Sequence, residues 1–220
     1  MLNDARQLLL AMGPADVAGV LNRFEDAATM AVEHGFRHVQ FHAAHGYLLN
    51  LLIDDRLHKR AANVRDQLSN IAKRLSKQNV ETSIRISLRT GEQALDQQGG
   101  TELQDAIAAL SFDYVDLSSG FYNIDKRLIY PSRPDILSTR FEDSIALSSR
   151  HPDREFILSG RALSYDRATL PANVHLGICR DLIANPNVLD DQSNGCMNKG
   201  KCHYYSRRSH ELKCGMWARH

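Results

Sequence analysis

A chain of 220 residues that is 43% hydrophobic and 24% charged has the composition of one globular domain with a substantial core, which excludes a disordered chain. A formal charge of +1 without a dominant basic face argues against nucleic acid as the main partner. No apolar run approaches the roughly 18 residues of a membrane span, and Met1-Leu2-Asn3-Asp4-Ala5-Arg6 lacks a basic region leading to a cleavage site, so a cytoplasmic protein is expected.

In chain order, Asp16 to His34 places Val17, Val20, Leu21, Phe24, Ala27, Ala28 and Ala31 at helical spacing, with Gly35 as the stop. An apolar alternating strand follows and runs into Phe41-His42-Ala43-Ala44-His45-Gly46-Tyr47. Further strands are expected at Thr82 to Leu88, Asp113 to Leu117, Glu155 to Ser159 and Val174 to Ile178. Between them lie helices at about Asn63 to Gln78, Thr101 to Leu110 and Pro134 to Ser149. Thr101-Glu102-Leu103-Gln104 has the form of a capping box behind the Gly99-Gly100 turn. Strands alternating with helices imply a parallel sheet or barrel with right-handed crossovers.

In such folds chemistry collects at the carboxyl ends of the strands. After the first strand, His42 and His45 offer two neutral hydrogen-bond donors and Tyr47 one phenolic acid. Two donors can hold an oxygen on which negative charge develops, and a phenol can deliver a proton to a nascent carbanion. A metal pair or two satisfied rim histidines are the alternatives. Arg85 stands amid apolar residues, where a guanidinium needs an anionic partner, either a ligand or a neighbouring carboxylate. Phe121, Tyr122 and Tyr130 can cover a pocket or simply pack the rim. Ser159-Gly160-Arg161 and Gly177-Ile178-Cys179-Arg180 have the make-up of a phosphate cradle, in which glycine admits backbone N–H groups and arginine binds the anion in bidentate fashion. Cys179 itself reads as a buried small hydrophobe. Cys196, Cys202 and Cys214 crowd into the tail, where metal or cluster binding comes before disulfides.

The run from Gly35 to Leu49, Gly-Phe-Arg-His-Val-Gln-Phe-His-Ala-Ala-His-Gly-Tyr-Leu-Leu, resembles the Old Yellow Enzyme family of FMN-dependent ene-reductases. The resemblance implies that His42 and His45 bind the oxygen of the substrate's activating group and that Tyr47 is the proton donor. It places Arg85 at the flavin pyrimidine edge and Gly160, Arg161, Gly177 and Arg180 around the FMN phosphate, with NAD(P)H as reductant. The five strands match strands 4 to 8 of a (β/α)₈ barrel. The fold expected is therefore α/β, a partial TIM barrel over residues 1–190 with a cysteine-containing tail over 191–220.

Some members of the wider family bind a four-iron four-sulfur cluster just after the barrel, and the eleven residues between Cys202 and Cys214 fit that spacing. Lys199 stands where a further cysteine is expected, so the alternatives are a three-iron or site-open cluster, zinc completed by His203 or His210, or no metal. Gln40 stands where an acidic residue is common, and Asp54 to Asn70 lacks the acidic double-glycine run of the family. The expected function is FMN-dependent reduction of an activated alkene, a small molecule. The competing classes are a non-catalytic remnant or subunit whose barrel is completed by an oligomer or a partner chain, and a zinc-stabilised binding module.

Overall fold

The computed structural model describes residues 2–190, 195–197, 202, 210, 211 and 213–217. Helices α1 (Leu2–Ala11) and α2 (Pro14–Glu33) precede strand β1 (His38–Ala43). Next come α3 (Leu48–Leu52), α4 (Ala61–Ser76), β2 (Glu81–Ser87), α5 (Gln93–Asp96), α6 (Gly100–Ala108) and β3 (Tyr114–Ser118). The chain continues through α7 (Lys126–Ile129), α8 (Pro134–Arg150), β4 (Glu155–Ser159), β5 (Val174–Gly177) and α9 (Arg180–Ala184). The strands pair in parallel in the order β1-β2-β3-β4-β5, and the sheet does not close on itself. No described helix is long and apolar enough to cross a membrane.

The register explains the division of labour between the two faces. Phe41, Ile84, Val115, Phe156 and Val174 stand side by side across the five strands and are all buried. With Leu68, Ile71, Ile107 and Leu147 from the crossover helices they form the core between sheet and helices. Because side chains alternate along a strand, the neighbouring level faces the other way: His42, Arg85, Asp116, Ile157 and His175. A closed barrel fills that interior with branched apolar side chains. Here the level carries four titratable groups, with His42 and His175 exposed, so this face of the open sheet tolerates solvent.

Local signals set the helix ends. α2 stops where Gly35 takes φ +87. There the Phe36 and Gly35 amides donate to the Ala31 and Val32 carbonyls, the paired closure that a left-handed residue permits. The expected capping box does not form. α6 begins one residue earlier, behind Gly99 at φ +73 and without a side-chain cap, and Gln104 instead donates to the Leu88 carbonyl across the groove. Most of residues 191–220, the expected tail, lie outside the described residues. Two contacts are nonetheless seen on α9: the Cys196 amide donates to Asp181 Oδ1, and the Trp217 indole donates to the Ile183 carbonyl.

Candidate functional site

The turn after β1 is built by two consecutive residues in the left-handed region, His45 at φ +65 and Gly46 at φ +76. Glycine adopts that conformation freely, whereas His45 must be held there. Its amide donates to Ser87 Oγ (2.8 Å), its carbonyl accepts from the Tyr122 amide (2.9 Å), and its Nε2 pairs with Ser118 Oγ (2.7 Å). Gly46 is pressed against Phe121, so a Cβ there would meet the ring at 2.9 Å. Phe121 is buried and packs the rim, while Tyr122 and Tyr130 remain exposed, Tyr122 under the Lys126 ammonium at 4.6 Å.

This turn brings the three expected residues together. The His42 ring lies 5.1 Å from that of His45 and 5.6 Å from that of Tyr47, edge to face in both cases. Tyr47 is 53% exposed, so the trio opens to solvent on its side. Both imidazoles are held neutral. Burial lowers the His45 pKa to about 3, reinforced by the charges of Arg85, His42 and Arg140. His42 keeps an exposed edge but is partly desolvated, and that and the Arg85 charge lower its pKa, with Asp116 opposing. Neutral imidazoles keep one donor each and repel no cation, as a site for a polarised oxygen requires.

A depressed histidine pKa also makes the fold pH-dependent. The unfolded chain binds a proton near pH 6.5 that folded His45 refuses until about pH 3, so stability is present above pH 6.5 and declines as pH falls toward 3. His45→Gln is expected to flatten the fall in thermal midpoint between those pH values. A midpoint-against-pH curve with the wild-type slope would show that His45 is not the buried neutral base described.

Arg85 sits beside His42 in the register and takes the carboxylate alternative: Nη1 meets Asp116 Oδ2 at 2.5 Å. The same oxygen accepts from Gln40 at 2.9 Å. An acid at position 40 would face Asp116 directly, so glutamine there is matched to its neighbour. Asp116 is only 3% exposed and its Oδ1 has no hydrogen-bond partner among the described residues. The Arg85 side chain keeps 24% of its surface exposed.

The carboxyl ends of β4 and β5 supply the other half of the site. Gly160 takes φ +95 and Arg161 φ +57. A Cβ at Gly160 would run into the Arg140 guanidinium, and one at Gly177 into the Ser159 hydroxyl, so both positions require glycine for close approach. Arg161 lines a 320 Å³ hollow with Ser164, Asp181 and Cys196. The charges of Arg85 and Arg180 both bear on Arg140. Guanidinium groups outnumber carboxylates here: Asp116 is committed to Arg85, and Asp181, in the same hollow as Arg161, accepts the Cys196 amide, so the donor set can take a phosphate beside it.

Cys179 is exposed, a correction to its expected burial, because it caps α9 beyond the edge strand β5. Cys196, Cys202 and Cys214 are free thiols, and among the described residues no three His, Cys, Asp or Glu side chains converge as a metal ion needs. Lys199 and His203 lie outside the described residues. The sequence reading missed Asp116, Ser87, Ser118 and Arg140. Asp116 was signalled only by a charge in mid-strand, and Arg140 by its place on the buried stripe of α8 with Ser144 and Leu147.

Fold and site together define an open, partial (β/α) barrel with a polar site at the carboxyl ends of its strands. No family model matches the chain and no curated protein matches it. Among solved structures it is similar to a 2-naphthoyl-CoA reductase in complex with 2-naphthoyl-CoA, with a TM-score of 0.64 and 18% identity over 84% of this chain and 30% of that one. The chain thus spans less than a third of that reductase, and the likeness establishes the fold.

Proposed function

We propose that this chain is a flavin-dependent oxidoreductase of the Old Yellow Enzyme type, acting on a small activated alkene in the cytoplasm. The observation that carries the reading is the convergence of two neutral imidazoles and a phenol at the end of β1, beside an arginine at the same level of β2. His42 and His45 hold the oxygen of the activating group, and their N–H groups stabilise the charge that develops on it. Tyr47 hands its phenolic proton to the α-carbon. The neighbour's 2-naphthoyl-CoA is a thioester, and a thioester carbonyl is an oxygen of the kind such a pair can hold.

FMN, reduced by NAD(P)H, supplies the hydride when bound. Arg85, its charge shared by Asp116, would hold the pyrimidine side of the ring, and Gly160, Arg161, Gly177 and Arg180 would hold the phosphate. A second reading, favoured by the open sheet, is a subunit that closes its barrel against a partner chain or a second copy.

An absorbance spectrum of the anaerobically purified protein, with metal analysis and added FMN on the same sample, tests the proposal. Flavin bands near one per chain are expected. A folded, colourless protein that ignores added FMN would overturn the enzyme reading in favour of the subunit. Zinc in its place would favour the binding module.

A further inference from the structure

Arg140 is among the largest fully buried side chains, at 2% exposed, and it stands in the middle of α8. Its guanidinium donates to the Ser159 and Leu128 carbonyls, and its Nε has no partner. Among the described residues no carboxylate forms an ion pair with it, for Asp116 is bound to Arg85. Burial lowers its pKa to about 10, with the charges of Arg85 and Arg180 adding to the shift and Tyr165 and Asp116 opposing it, so it stays charged at neutral pH. A buried cation that no carboxylate pairs with directly is expensive even with Asp116 acting on it from a distance, and an anion held nearby would lower that cost.

The hydrogen bond to Ser159 orients the peptide that follows it. In a trans peptide the C=O and N–H point in opposite directions. Turning the Ser159 carbonyl onto the guanidinium therefore turns the Gly160 N–H away from it, and donation to the carbonyl polarises that N–H further. Gly160 has no side chain because Arg140 fills the space, and Arg161 follows in the left-handed region. We propose that Arg140 is the positioning residue of the phosphate site: it aims the Gly160 N–H at a bound phosphate and supplies the fixed charge beneath it, so that the site prefers a phosphorylated ligand over its unphosphorylated form. The identity of that ligand as FMN rests on the proposed function.

The test compares FMN with riboflavin, by fluorescence titration of the full chain. The wild type is expected to bind FMN about 10-fold or more tightly than riboflavin, as a charge-assisted contact provides. Arg140→Met should bring the ratio toward one while leaving riboflavin affinity nearly unchanged, and Arg140→Lys should restore much of it. Should the methionine variant fail to fold, Arg140→Gln, which keeps N–H donors without the charge, reads the same ratio. A wild-type ratio in a folded, uncharged variant would overturn the proposal and leave the flavin reading intact. If the wild type binds neither flavin, inorganic phosphate becomes the probe. A thermal midpoint raised by phosphate in the wild type but not in the variant upholds the role of Arg140 and sinks FMN, and no response in the wild type overturns both.

Discussion

Tyr47→Phe in flavin-loaded protein is expected to slow alkene reduction by about 10²- to 10⁴-fold, the usual contribution of a positioned acid, while flavin reduction by NAD(P)H proceeds at the wild-type rate. The substitution is clean because it removes one oxygen and keeps the ring. The ring is what packs, edge to face on His42 at 5.6 Å. Among the described residues nothing hydrogen-bonds the hydroxyl, so its loss leaves no orphaned partner, and stability should shift by no more than about 0.5 kcal/mol. The two half-reactions are separated by stopped-flow absorbance at the flavin band. Equal slowing of both would mean that the phenol acts on flavin binding, and unchanged alkene reduction would mean that water protonates the α-carbon.

That the trio can be probed so directly reflects how much of it was written locally. Two histidines, a glycine and a tyrosine within six residues need only one tight turn to meet, and Gly46 permits that turn. The strands were legible for a similar reason. Alternation in Ser83-Ile84-Arg85-Ile86-Ser87 marks one buried face, and the strand at Glu155–Ser159 appears with the bounds its alternation gives. The first helix was not legible: Leu8, Leu9 and Leu10 form a block rather than a stripe, and only Leu9 is buried. Asp116 and Arg140 escaped for a deeper reason. What each does depends on the register of β2 against β3, or on a helix crossing behind β4. Neither lies within reach of a local pattern. The tail is the opposite case, where a suggestive spacing of cysteines is not matched by convergence among the described residues.

The pair at the centre of the polar level carries the second large effect. Asp116→Ala is expected to cost about 3 kcal/mol, the lower end of what removing one partner of a buried ion pair costs, because Arg85 retains some contact with solvent. Chemical denaturation would read it as a lower midpoint at unchanged slope. The double variant Asp116→Ala with Arg85→Met should lose less than the two single losses combined, since neither charge is then left alone. Additive losses would show that the contact is incidental. The chemistry should respond as well. Asp116 is the charge that opposes Arg85 at His42, so in folded Asp116→Asn protein the His42 pKa falls further and the imidazole stays neutral to lower pH, as an NMR titration of its ring protons would show. Arg85 is at the same time released from its carboxylate. If it lies at a flavin edge, the Asn variant should bind FMN more tightly than the wild type despite being less stable. Weaker binding would instead make Asp116 part of what holds Arg85 in position.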